Sequence, residues 1–159
     1  MKRRFTNVSI IPNEYSLGRC SLAKHPGGFH PDWDDGPKIR SRIEAQIVID
    51  LAGFEAERLF AGRADRVGAS NDMSHVVDTV TYISTADEKK QSAYIGWLQE
   101  RTRVLLQDRP YSWHWAAVQA LAGALLRHQR IGERKARRII SEAKQGWMDE
   151  HLTQGMGTP

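Results

Sequence analysis

The amino-acid sequence predicts a mainly α protein, a helical bundle of about five helices with a small N-terminal β-hairpin. Two observations carry the helices. Ile39, Ile43, Ile47 and Leu51 recur every fourth residue, and Met73, Val76, Val77 and Val80 fall at i, i+3, i+4 and i+7, the one-face spacing of a 3.6-residue period. A third carries the hairpin: residues 7–12, NVSIIP, form a short β-branched run stopped by Pro12, and residues 17–22, LGRCSL, supply a partner across the polar turn Asn13-Glu14.

Taken in order, the hairpin leads into residues 23–36, AKHPGGFHPDWDDG, whose Gly, Pro and Asp content reads as an exposed loop. Pro37 suits the first turn of a helix. The stretch from Ile39 to Ile83 is the organising unit, two amphipathic helices joined by a glycine-rich turn. Gly62 ends the first helix, Ser70 is placed to cap the second through its hydroxyl, and Asp72 falls in that helix's first turn, where a carboxylate meets the positive end of the dipole. Thr85 with Glu88 forms a capping box opening a third helix to about Gln107, with Tyr94, Trp97, Leu98 and Leu105 on one face. Val118, Leu121, Ala122 and Leu125 define a fourth. The fifth runs from Glu133 to about Asp149 with Ile139, Ile140 and Trp147, and residues 152–159 read as a flexible tail.

At 159 residues the chain suits one domain. The lone Cys20 excludes an internal disulfide, so packing must hold the fold, and it fits a reducing compartment. Polar Thr6, Asn7 and Ser9 interrupt the basic start MKRRF before any signal-like apolar run develops, and nothing approaches the roughly 18 apolar residues of a membrane span. A cytoplasmic location is expected. The net charge of +4 permits a nucleic-acid partner without arguing for one. The basic stretch 127–138, RHQRIGERKARR, interleaves its cations with Ile131, as an amphipathic surface helix does. Nucleic acid is therefore not expected as the partner.

Residues 52–73 carry a family resemblance. The segment AGFEAERLFAGRADRVGASNDM resembles the peptidase domain of FtsH-type ATP-dependent zinc proteases, where a Gly–x–x–Ala–Glu helix leads to a Gly–Ala–x–Asn–Asp turn opening the next helix. VSIIPNEYSLG is similar to the family's upstream hairpin, and AVQALAGALLRHQRIGERKARRII to its closing helix pair. The resemblance covers about three quarters of the chain, in the same order. It implies zinc as cofactor, a polypeptide substrate, a possible homo-oligomer, Asp72 at the position of the family's aspartate zinc ligand, and Glu57 as an acid supporting the metal histidines. In that family the other ligands and the general base come from a His–Glu–x–x–His helix placed before the hairpin.

No His–Glu–x–x–His occurs among His25, His30, His75, His114, His128 and His151, and no ATPase module is present. The expectation is a proteolytic-type domain, N-terminally incomplete, that does not bind zinc or cleave substrates by itself, since one carboxylate cannot hold a catalytic zinc. The alternatives are a non-catalytic, self-associating interaction module and a basic helical nucleic-acid binder. Outside the resemblance, His75 lies three residues beyond Asp72 and shares its face. The loop His25, His30, Asp32, Asp34 and Asp35 holds metal-binding residue types without orienting spacing, and Trp113 and Trp115 flank His114.

Overall fold

The computed structural model describes residues 4–14, 16–23, 36–65, 69–84, 87–107 and 113–154. It is mainly helical: among the described residues there are five helices and one small antiparallel sheet. They fall into two compact units, residues 25–106 and, assembled from both ends of the chain, residues 1–24 with 107–159.

The 25–106 unit begins with α1 (Pro37–Ala61), where Pro37 occupies the first turn as its fixed φ favours. Ile39, Ile43, Ile47 and Leu51 are all buried, each contributing about 2 kcal/mol of apolar burial. Gly62 closes the helix at φ 73°, a left-handed conformation that costs a glycine nothing. The next helix, α2 (Ser70–Val80), returns along α1 and buries Val76 and Val80 against it, while Val77 is half exposed. Its capping residue is Ala69 rather than Ser70. Ser70 is already helical, and an alanine side chain cannot accept a bond. The cap position thus falls one residue earlier than expected, and the hydroxyl cap expected at Ser70 does not form.

α3 (Glu88–Gln107) completes this unit by adding Leu98 to the same apolar cluster. Thr85 lies outside the described residues, and the capping acceptor is Asp87, whose Oδ1 receives the Lys89 and Lys90 N–H groups at 3.0 and 3.3 Å. The buried face is Leu98, Thr102 and Leu106; Trp97 and Leu105 lie outside it. The i+4 row through Leu98 passes through a threonine, which apolar counting skips. Its hydroxyl donates to the Leu98 carbonyl at 2.8 Å, so the row stays satisfied.

In the other unit, β1 (Phe5–Ser9) pairs antiparallel with β2 (Arg19–Leu22), Val8 opposite Cys20. β1 sits nearer the N-terminus than the β-branched run 7–12 suggested, leaving Ile10 and Ile11 exposed, and β2 begins two residues later than the expected partner 17–22. α4 (Trp113–His128) ends at Gln129, whose φ of 53° turns the chain into β3 (Arg130–Gly132). That strand pairs with the free edge of β1, giving the order β2-β1-β3, and drops Ile131 into the core. α5 (Glu133–Gln154) follows at once and runs five residues beyond Asp149. Ala124, Leu125, Ile131 and Ala136 form the centre, with Phe5, Val8, Leu121 and Ile139 around it. No described helix is long and apolar enough to cross a membrane.

Candidate functional site at the α1–α2 pair

On α1, Gln46 and Asp50 each precede a buried stripe residue by one position, so they border the apolar face. Gln46 is 9 % exposed, and its Nε2 donates to Asp50 Oδ1 at 2.7 Å. The second oxygen, Oδ2, lies 2.6 Å from His75 Nδ1 on α2. Because a carboxylate only accepts, Nδ1 carries the hydrogen of this contact. His75 keeps 57 % of its side-chain surface while Asp50 keeps 11 %. The result is a chain of contacts from a buried amide through a nearly buried carboxyl to an exposed imidazole. Gln46 Oε1 is buried without a partner among the described residues, which costs about 1–3 kcal/mol and marks this corner as one not optimised for stability alone.

Asp72 occupies the first turn of α2 as the spacing predicts, on the exposed side. Its carboxyl is held above the ordinary value of 3.8, first because surrounding protein strips part of its hydration and second because Asp50 repels its charge; attraction from His75 offsets part of this. The structure thus brings Asp72, His75 and Asp50 into one electrostatic neighbourhood. Asp50 was missed because a single carboxylate on an amphipathic helix ordinarily faces water. The available signal was the Gln46–Asp50 pair at i, i+4 along the edge of the stripe.

Glu57 is exposed on α1 and does not join this group. Its neighbour Glu55 is fully buried, one turn beyond Leu51 in the same row. There it accepts from Gln99 Nε2 at 2.6 Å and pairs with Arg58 at 3.0 Å and Arg103 at 3.3 Å. Two cations and an amide satisfy the carboxylate and tie α1 to α3, a structural role.

His25, His30, Asp32, Asp34 and Asp35 lie outside the described residues. Trp113 stacks on His114 and takes Lys144 over its ring at 4.8 Å. Within the basic stretch, Arg137 pairs with Glu133 at 2.9 Å and Arg138 with Glu142 at 3.8 Å.

Among the described residues no group of three or more His, Cys, Asp or Glu side chains is arranged to hold a metal ion. Carboxylate and imidazole are the donor types zinc takes, but those at this corner fall short of the three protein ligands of a catalytic site, so no chemical step is derived through a metal here. A scan of known protein families and a search of curated proteins both found nothing that matches this chain.

Proposed function

We propose that this chain is a peptidase-type domain related to the FtsH-type zinc metallopeptidases, in which Asp72 is the position that offers a carboxylate to a metal. The chain by itself is not a protease, because the general base and the histidine pair of a His–Glu–x–x–His helix are absent from its sequence. Support comes from one observation above the rest: Asp72 stands at the start of α2 with its carboxyl partly stripped of water, beside a second carboxylate and an oriented imidazole. A carboxylate serving only the helix dipole gains nothing from a repelling neighbour. The helix–Gly62–helix unit that presents it agrees with the resemblance, and polypeptide is the substrate class that follows.

The test is to fuse a helix bearing His–Glu–x–x–His ahead of the chain and assay chelator-sensitive cleavage of an unfolded protein such as casein. Activity that vanishes in Asp72→Ala supports the proposal. A well-folded fusion with neither zinc nor activity removes it.

A second reading, a non-catalytic module that associates with itself, draws on α3. Trp97, Val104 and Leu105 are 51 %, 48 % and 40 % exposed on that helix, an apolar face rich in the residue types that anchor interfaces. Concentration-dependent mass in analytical ultracentrifugation, abolished by Trp97→Ala, would favour it.

A further inference from the structure

We propose that the groove between α4 and α5 binds a small anionic amphiphile, an aliphatic chain ending in a carboxylate, with the chain along the helices and the head at the end nearest β3. The groove has a volume of about 500 Å³, in the range of small-molecule sites formed between packed helices. Its floor is set by the sequence. Ala120, Gly123 and Ala124 fall at i, i+3 and i+4 on one face of α4, and Ile139 and Ala143, one turn apart on α5, line the other wall. Side chains this small leave the space between the helices unfilled. At Gly123, a methyl group would meet, outside the helix's own backbone and among the described residues, only Arg127 Nη1, at 3.8 Å.

Charge is arranged along the groove. Arg127 in the last turn of α4 and Lys135 in the first turn of α5 line it next to β3, with His128 on the same stretch. The Arg127 guanidinium lies back over Gly123, so its charge stands at the apolar floor. Among the described residues no carboxylate pairs with either cation. The acids on α5 are engaged elsewhere: Glu133 with Arg137 at 2.9 Å and Arg4 at 3.8 Å, and Glu142, two turns along from Lys135, with Arg138 at 3.8 Å. Two unmatched cations over an apolar floor favour an occupant that brings a negative head and an apolar body together. A hydrated inorganic anion would leave the floor uncovered, and a neutral or cationic chain would leave the cations unmatched. The wall from Gln119 to His128 is about 15 Å of helix, the scale of an extended medium-length acyl chain. That is too little surface for the roughly 800 Å² per partner of a stable protein interface.

The test uses the 159-residue chain, titrated with decanoate below its micelle concentration, with calorimetry for affinity and NMR of the backbone amides for location. Saturable binding of one decanoate per chain is expected, with resonance shifts concentrated at Gly123, Ala124 and Ile139. Decyltrimethylammonium, with the same tail and the opposite charge, should bind about tenfold more weakly, and acetate should not saturate. Arg127→Gln and Lys135→Gln, both exposed positions, should each weaken decanoate about tenfold. Gly123→Leu, which fills the floor, should abolish binding in a chain still folded by circular dichroism. Absence of saturable decanoate binding overturns the inference, as do equal affinities for the two chains or shifts confined to other residues. Unchanged affinity in Arg127→Gln and Lys135→Gln overturns it too, whether or not Gly123→Leu folds. Shifts at the same residues on raising protein concentration without decanoate would assign the groove to a second copy of the chain and likewise overturn it.

Discussion

Changing Glu55 to Gln and, separately, Glu57 to Gln applies one chemical change to two sites two residues apart on α1. Glu55 has no exposed surface and receives a hydrogen bond from Gln99 and ion pairs from Arg58 and Arg103. The amide removes the charge both arginines are paired with and turns one acceptor into a donor facing other donors. Breaking a buried pair costs 3–5 kcal/mol, but Arg58 and Arg103 keep 37 % and 27 % of their side-chain surface and can recover water. The low end applies, about 3 kcal/mol, or roughly two decades in the unfolding constant. Glu57 is exposed, so its replacement should stay within about 0.5 kcal/mol. Urea unfolding followed by far-ultraviolet circular dichroism measures both, as a fall in midpoint at unchanged slope for Glu55→Gln alone. Equal losses at the two sites, or a neutral Glu55→Gln, would refute the assignment of Glu55 as the buried structural acid.

Three further outcomes follow from the same geometry. Gly62→Ala should cost about 1 kcal/mol by thermal or urea unfolding, because φ is 73° while the added methyl would meet nothing within 4 Å; only backbone strain is being tested. Asp87→Ala should cost about 1 kcal/mol through loss of the α3 cap, with Asp87→Asn largely sparing it. For Asp72 the sign is set by its raised folded-state pKa. The folded protein holds this proton more tightly than the unfolded chain, so Asp72 weakens the fold when ionised, and that penalty is relieved as pH falls toward 3.8. Unfolding free energy plotted against pH should therefore fall more steeply above pH 3.8 for the wild type than for Asp72→Asn; superimposable slopes would contradict the environment described for this carboxyl.

Much of the fold was legible because its helices carry their partners in their own periodicity. The row Ile39, Ile43, Ile47, Leu51 and the Gly62 stop are local signals, and the structure keeps both. What escaped depended on partners distant in sequence. β3 is three residues inside a basic stretch, and it is a strand only because β1 offers it an edge more than 120 residues away along the chain. Glu55 continues the apolar row, a position where a charge is tolerated only once Arg103 and Gln99 arrive from α3. The site was legible in the same proportion. Helix position places Asp72 in the first turn of α2 but its candidacy came from the family resemblance, whereas the Asp50–His75 contact joins two helices and no single-helix pattern announces it. Thr102 misled for the opposite reason: its bond to the Leu98 carbonyl lets a polar residue fill an apolar position.

The measurement closest to the central claim is zinc per chain, determined by elemental analysis after dialysis, on the fusion carrying a His–Glu–x–x–His helix and on its Asp72→Asn variant. If Asp72 is a metal ligand, the fusion retains one zinc per chain and the variant, still folded by circular dichroism, retains little. Equal zinc in both proteins, or none in a folded fusion, would contradict that role and return Asp72 to a charge that serves only its helix.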